Sequence, residues 1–186
     1  MKTIIEKATL KKALLFTAVF AALYIIINFT TLGLAGLLRI TNGANILDFQ
    51  FGYSAAKAYD ILTALGQEGR SFYLFHILPL DFPFPLSGML FYAGWIALLV
   101  KLVAPSSAAR FTILVPLLSM MFDWFENIGA IIMLNTYPNL SVPGVYLGSV
   151  SGMLKMIFSL GNIAIIVVLL VTYLFKTVKN KHKVER

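Results

Sequence analysis

Four apolar runs, at about residues 13–38, 71–100, 111–134 and 147–175, each have the length to cross about 30 Å of hydrocarbon at about 1.5 Å per helical residue. A chain of 186 residues that is 59% hydrophobic and only 12% charged holds more apolar surface than a soluble core of that size can hide. The expected fold class is all-α: a polytopic membrane protein, one four-transmembrane-helix bundle over residues 1–186 with a short extracytoplasmic amphipathic helix. The second and fourth runs exceed the span, so tilt, a break or an extension beyond the membrane is expected there.

Charge sets the orientation. With both termini on one side, Lys2, Lys7, Lys11, Lys12, Lys101, Arg110, Lys176, Lys179, Lys181, Lys183 and Arg186 fall together, against Arg39, Lys57 and Arg70 opposite. The positive-inside rule then puts both termini in the cytoplasm of a multi-pass chain in the cell (inner) membrane. The net charge of +7 belongs mostly to these flanks, which meet the anionic headgroups of the lipid bilayer. Short flanking clusters without a soluble domain argue against nucleic acid as a partner. The run after MKTIIEKATLKK continues for about 26 residues without a small-x-small cleavage site, so it reads as a retained first helix. The absence of cysteine excludes disulfide exchange and thiolate metal sites. Two histidines, His76 and His182, are too few for a multi-histidine metal centre, and no motif calls for a cofactor.

The connections differ in kind. A short cytoplasmic one near 104–110 carries Pro105, Ser106 and Ser107, and an uncharged outer one covers 135–144. The first outer segment, 39–70, is long. After the turn-prone TNGAN comes LDFQFGY, then Ser54 as an N-cap for a helix over about 54–66, whose Ala55, Ala58, Ile61, Leu62 and Leu65 recur at helical spacing. Gly66 ends it. This helix lies on the outer surface or caps the bundle.

Charges inside the runs mark the candidate site, because each costs several kcal/mol in hydrocarbon and so faces the bundle interior or water. Asp123, Glu126 and Asn127 share a face of the third run, with Ser119 a turn before. On the fourth, Gly148, Gly152, Lys155, Ser159 and Asn162 follow at steps of four, three, four and three, again one face. Gly148 and Gly152 permit close helix approach, within the bundle or across a homodimer. Glu126 and Lys155 lie at matched depth, about 12 Å in from the outer ends. The first run adds Thr17, Tyr24, Asn28 and Thr31. In the second, Arg70, Tyr73 and Ile77 lead to Asp81, while Pro79, Pro83 and Pro85 predict a broken helix walling a polar cavity. His76 sits at the rim of that cavity. Three acids against Lys155, with Arg70 at the rim, leave room for a proton or a bound cation.

The succession FGYS (51–54), LGQEGRSFY (65–73), DFPFP (81–85) and DWFENI (123–128) resembles a pattern of small prokaryotic four-helix membrane proteins: Gly-x-x-Gly-Arg-x-x-Tyr, Asp before Phe-Pro, and Asp-x-x-Glu-Asn in that order. The resemblance implies that Arg70, Tyr73, Asp81, Asp123, Glu126 and Asn127 form a linked set, and it brings no activity with it. His76, Pro79 and Asp81 also resemble, loosely, an element of the sterol isomerase and sigma-2 receptor superfamily, whose intramembrane acids surround an amine or carbocation.

Three readings stay open. An outward-facing acidic cavity, lined from Asp81, Asp123, Glu126, Asn127, Lys155, Arg70, Tyr73 and His76, suits a binding or transport protein for a small cationic or amphipathic ligand, working as a homodimer. The same charges suit a structural or partner-binding subunit in which they lock helix register. Paired carboxyls also suit a membrane-embedded enzyme using acid/base chemistry on a lipid-like substrate.

Overall fold

A computed structural model describes residues 2–103, 111–139 and 141–184, with side chains to residue 179. The turn expected at 104–110, with Pro105, Ser106, Ser107 and Arg110, lies outside the described residues. So do the side chains of Lys181, His182, Lys183 and Arg186. Among the described residues the chain is helical, without a strand, and four helical stretches are long and apolar enough to cross a membrane: Leu10–Ile40, Gly66–Val103, Phe111–Thr136 and Val142–Lys179.

The chain opens with a short helix α1 (Lys2–Glu6), and α2 (Leu10–Phe29) follows with Thr9 as its N-cap, accepting from the Lys12 amide. The first stretch is not one helix. It turns over Thr30–Gly33 before α3 (Leu34–Ile40). At Gly33 a Cβ would lie 2.6 Å from the Ile27 carbonyl carbon, so only glycine lets the chain fold back this closely. Asn42 and Gly43, with φ of 52° and 90°, make the turn foreseen in TNGAN. A single 3₁₀ turn over Leu47–Phe49 follows.

Helix α4 (Ala55–Ala64) begins where Ser54 accepts from the Lys57 amide, at 3.2 Å. It caps the bundle. Ala58, Ile61 and Leu62 turn inward onto Leu37, Leu47, Tyr73 and Met133, forming one of two apolar cores. Gly66, at φ 65°, turns the chain into α5 (Gly66–Phe72). At the opposite end Ile5 and Ala8 pack on Ile96, Ala97, Val100 and Ile113 as the second core.

The second stretch corrects the expected proline break. From α5 the chain runs through a wider π-type turn at Tyr73–Ile77, into α6 (Leu78–Asp81) and, after Phe82, α7 (Pro83–Val103). Backbone angles at Ile77, Leu78 and Phe82 are all helical. Proline breaks a helix by lacking an N–H and by clashing with the carbonyl four residues earlier. Here the wide turn, in which the Leu78 amide donates to the Tyr73 carbonyl, falls just before Pro79 and moves that carbonyl aside. A neighbouring side chain supplies what Pro85 withholds. Pro85 has no N–H for the Asp81 carbonyl, and Asn127 Nδ2 donates to it at 3.2 Å. The Phe82 carbonyl, beside the interruption, accepts from Trp124 Nε1 at 2.9 Å.

Two long helices close the bundle, α8 (Leu114–Thr136) and α9 (Val142–Val184). They form the most closely packed pair. A Cβ at Gly129 would lie 2.6 Å from Gly148 Cα, and one at Gly144 would lie 2.7 Å from the Ile132 side chain. Lys176 Nζ donates to the Val103 carbonyl at the end of α7, and Lys101 Nζ donates to the carbonyls of Glu6 and Ala8, at 2.9 and 3.0 Å. Lys101 thereby supplies donors to carbonyls at the end of α1 and beside the start of α2.

Candidate functional site

The charged side chains meet between α6, α8, α9 and the 47–49 turn. Glu126 is fully buried and ion-paired to Lys155, and Asp123 Oδ1 lies 3.6 Å from the same ammonium. Glycine makes room for this. A Cβ at position 152, one turn before Lys155, would lie 3.1 Å from the Glu126 carboxyl carbon. The Gly148 and Gly152 face is thus occupied within the chain. Asn127, also fully buried, donates to the backbone carbonyl of Asp81.

Asp48 joins this group from the segment between α3 and α4. Tyr73 Oη donates to Asp48 Oδ2 at 2.9 Å, and Asp48 lines a cavity of about 140 Å³ together with Asp81, Asp123 and Lys155. Ile27, Ile77 and Phe84 supply apolar wall, and Asn28 a polar one. Glu126 does not line it. Four carboxyls, those of Asp48, Asp81, Asp123 and Glu126, therefore surround the single ammonium of Lys155, and the three that face the cavity are Asp48, Asp81 and Asp123. Among the described residues no group of three or more acid, histidine or cysteine side chains converges closely enough to hold a metal ion.

Asp123 faces two ways. On its other side it lines a second cavity of about 200 Å³ with Ser119, Ser159, Asn162 and the aromatic rings of Phe20 and Phe84. The two serine hydroxyls share a hydrogen bond of 2.8 Å. Asn162 is fully buried, and both of its amide atoms lack a protein partner. An unpartnered buried amide costs several kcal/mol, and Asn162 is therefore the polar group on the wall of this cavity most in need of a partner.

Tyr53, just before α4, closes one end of the α8–α9 contact. Its amide donates to Ser149 Oγ at 2.7 Å, and its hydroxyl, buried without a hydrogen-bond partner, lies against Gly148. Burial pushes the Tyr53 phenol well above its ordinary value, and the negative charges of Glu126 and Asp48 push the same way against the smaller opposing pull of Lys155.

Of the residues singled out in the sequence, Asp81, Asp123, Glu126, Asn127, Lys155 and Tyr73 come together. Arg70 and His76 do not. Arg70 Nη1 donates to the Leu62 carbonyl at 2.8 Å, and its guanidinium lies 3.9 Å from the centre of the Tyr137 ring, so it ties α4 and α5 to the α8–α9 connection. His76 is exposed and stacks on Phe72, 4.4 Å between centroids, beside Gln67 and Glu68 on the far side of α5. Position 76 is one residue from the buried Ile77, about 100° around the helix, and so points away.

Asp48 and Tyr53 were missed. The signal in the sequence is slight: Asp48 is an acid set between apolar residues in a segment too long for a plain turn, and Tyr53 has only its place in the FGYS element. Fold and site together define a class: an all-helical protein with four membrane-length helices around a buried, carboxyl-rich polar cluster. No family model, curated protein or solved structure matches the chain.

Proposed function

We propose that this chain is a multi-pass protein of the cell (inner) membrane, with cytoplasmic termini, that binds a small organic cation in an outward-facing acidic cavity, as a receptor or transport protein would. Residues with large outward apolar surfaces favour the membrane: Phe29, Leu160 and Phe175 are 69%, 66% and 73% exposed on the flanks of the bundle. The distribution of Lys and Arg favours the orientation.

One observation carries the ligand class. Asp48, Asp81 and Asp123 line the cavity with a single ammonium, Lys155, whose closest partner is Glu126, outside the lining. A cation seated there answers the acidic excess, and apolar walls from Ile27, Ile77 and Phe84 accept a hydrocarbon body. The volume of about 140 Å³ is close to that of the roughly 150 Å³ apolar cavity that takes up benzene, so the ligand is an amine of about that size.

The test is calorimetry and thermal unfolding of the protein in lipid nanodiscs with benzylamine, cyclohexylamine and tetramethylammonium, using benzyl alcohol as the neutral control. The amines are expected to bind and raise the Tm while the alcohol does not, and Asp81→Asn with Asp123→Asn should abolish the difference. Equal responses to benzylamine and benzyl alcohol would overturn the reading. A second reading rests on the buried Glu126–Lys155 pair under Gly152, which has the form of an interhelical clasp. Under that reading no amine binds, and the charges serve stability alone.

A further inference from the structure

At the end of the bundle away from the acidic cavity, a second recess of about 500 Å³ opens between the α1–α2 corner, α7 and α8. Its walls are apolar: Phe16, Met89, Leu90, Ala93, Leu114 and Leu117. Its mouth is basic, with Lys7 and Lys12 on the rim beside Thr3 and Thr9. The corner is held in place. Lys101 Nζ grips the carbonyls of Glu6 and Ala8, Lys12 Nζ donates to the Lys7 carbonyl at 3.1 Å, and Ile5 and Ala8 are buried against α7.

The charges at the mouth are unanswered. Glu6, the one acid nearby in sequence, faces Lys2 at 3.9 Å, and among the described residues neither Lys7 nor Lys12 has a carboxylate within ion-pair distance. Both side chains are exposed. An apolar slot that opens beside two exposed ammonium groups without a carboxylate partner matches one kind of molecule, which is anionic at its head and hydrocarbon along its body.

The geometry points to a resident anionic phospholipid, with an acyl chain against Ala93, Leu90 and Leu117 and its phosphate between Lys7 and Lys12. The inference rests on the membrane part of the reading above and not on the cation. Charge complementarity decides the headgroup, because two lysines at an interface favour an anionic over a zwitterionic lipid. The recess decides the specificity, since a flat basic surface attracts headgroups without holding one chain.

The test is native mass spectrometry of detergent-purified protein offered phosphatidylglycerol and phosphatidylcholine with the same acyl chains. Wild type should retain phosphatidylglycerol with a preference of about ten- to thirtyfold, the size expected for two lysines at an anionic headgroup. Lys7→Gln with Lys12→Gln should bring the preference near one. Ala93→Phe, which leaves both charges and fills the slot, should lower retention of both lipids. Each variant counts when its helicity and Tm match wild type. Equal retention of the two lipids by wild type, or an unchanged preference in the lysine variant, overturns the inference. Unchanged retention in Ala93→Phe overturns the acyl-chain slot. A chain released from membranes by alkaline carbonate would overturn the membrane reading and this inference together, whereas an integral chain without the preference overturns this inference alone.

Discussion

Asn127 hands its side-chain N–H to the backbone carbonyl of Asp81, 3.2 Å away, the carbonyl that Pro85 leaves without a helical donor. A buried amide thereby repairs a proline defect and fixes the helix carrying Asp81 against α8. Asn127→Ala should cost about 1–3 kcal/mol, the penalty for an unsatisfied buried acceptor. Adding Pro85→Ala restores an N–H within α7 and should recover part of the loss. Thermal unfolding in detergent reads the cycle, and simple additivity of the two substitutions would show that they do not share the carbonyl.

The Glu126–Lys155 pair is buried, so breaking it and removing it differ. Lys155→Met strands a carboxylate that is 0% exposed and should destabilise by about 3–5 kcal/mol. Lys155→Met with Glu126→Gln should be more stable than Lys155→Met alone. If that stable double variant still binds amines, the pair is a clasp beside the site; if it does not, the pair orders the cavity.

Glycines on α9 are not equivalent. A methyl group at Gly152 meets the Glu126 carboxyl, while one at Gly161 meets Val115 Cγ1 at 3.5 Å, an ordinary contact. Gly152→Ala should therefore lose about 1–3 kcal/mol by forcing α8 and α9 apart. Gly161→Ala should be neutral or gain up to about 1 kcal/mol from helix propensity. Equal Tm values for the two variants would contradict the packing described for α8 and α9.

Topology has a direct check, because the chain has no cysteine of its own. Lys57 and Lys179 are both exposed, the first on α4 and the second near the end of α9. Lys57→Cys should react with a membrane-impermeant maleimide in intact cells, and Lys179→Cys only after permeabilisation. The reverse pattern would invert the orientation.

Helical phase made much of the site legible in the sequence. Asp123, Glu126 and Asn127 on one helix and Gly148, Gly152, Lys155, Ser159 and Asn162 on the next needed only a period of 3.6 residues and equal depth to be brought together. Local rules misjudged the second stretch. Proline penalties argue for a break, and the compensations, a wide turn before Pro79 and a donor from Asn127, lie in backbone geometry and in another helix. Asp48 and Tyr53 were illegible for a related reason. They sit in a segment without periodicity, and it is the packing of α4 over the bundle, through Ala58, Ile61 and Leu62, that folds this segment over the charges.

Tyr53 gives the cluster an alkaline signature. Its phenol is raised above the ordinary value of 10.0, first by burial and then by Glu126 and Asp48. In the unfolded chain the phenol ionises near pH 10, while in the folded protein it stays protonated, so the folded state binds the extra proton. The sign follows: stability from this group is fully present below about pH 10 and falls as pH climbs above it toward the folded value. Wild-type protein should lose Tm between about pH 10 and 11 more steeply than Tyr53→Phe. At pH 7 the substitution should cost little or nothing, because the hydroxyl it removes is buried without a hydrogen-bond partner. Parallel Tm curves for wild type and variant across that range would show that the Tyr53 hydroxyl is free to ionise in the folded protein, and hence that the 51–54 segment does not hold it against α9.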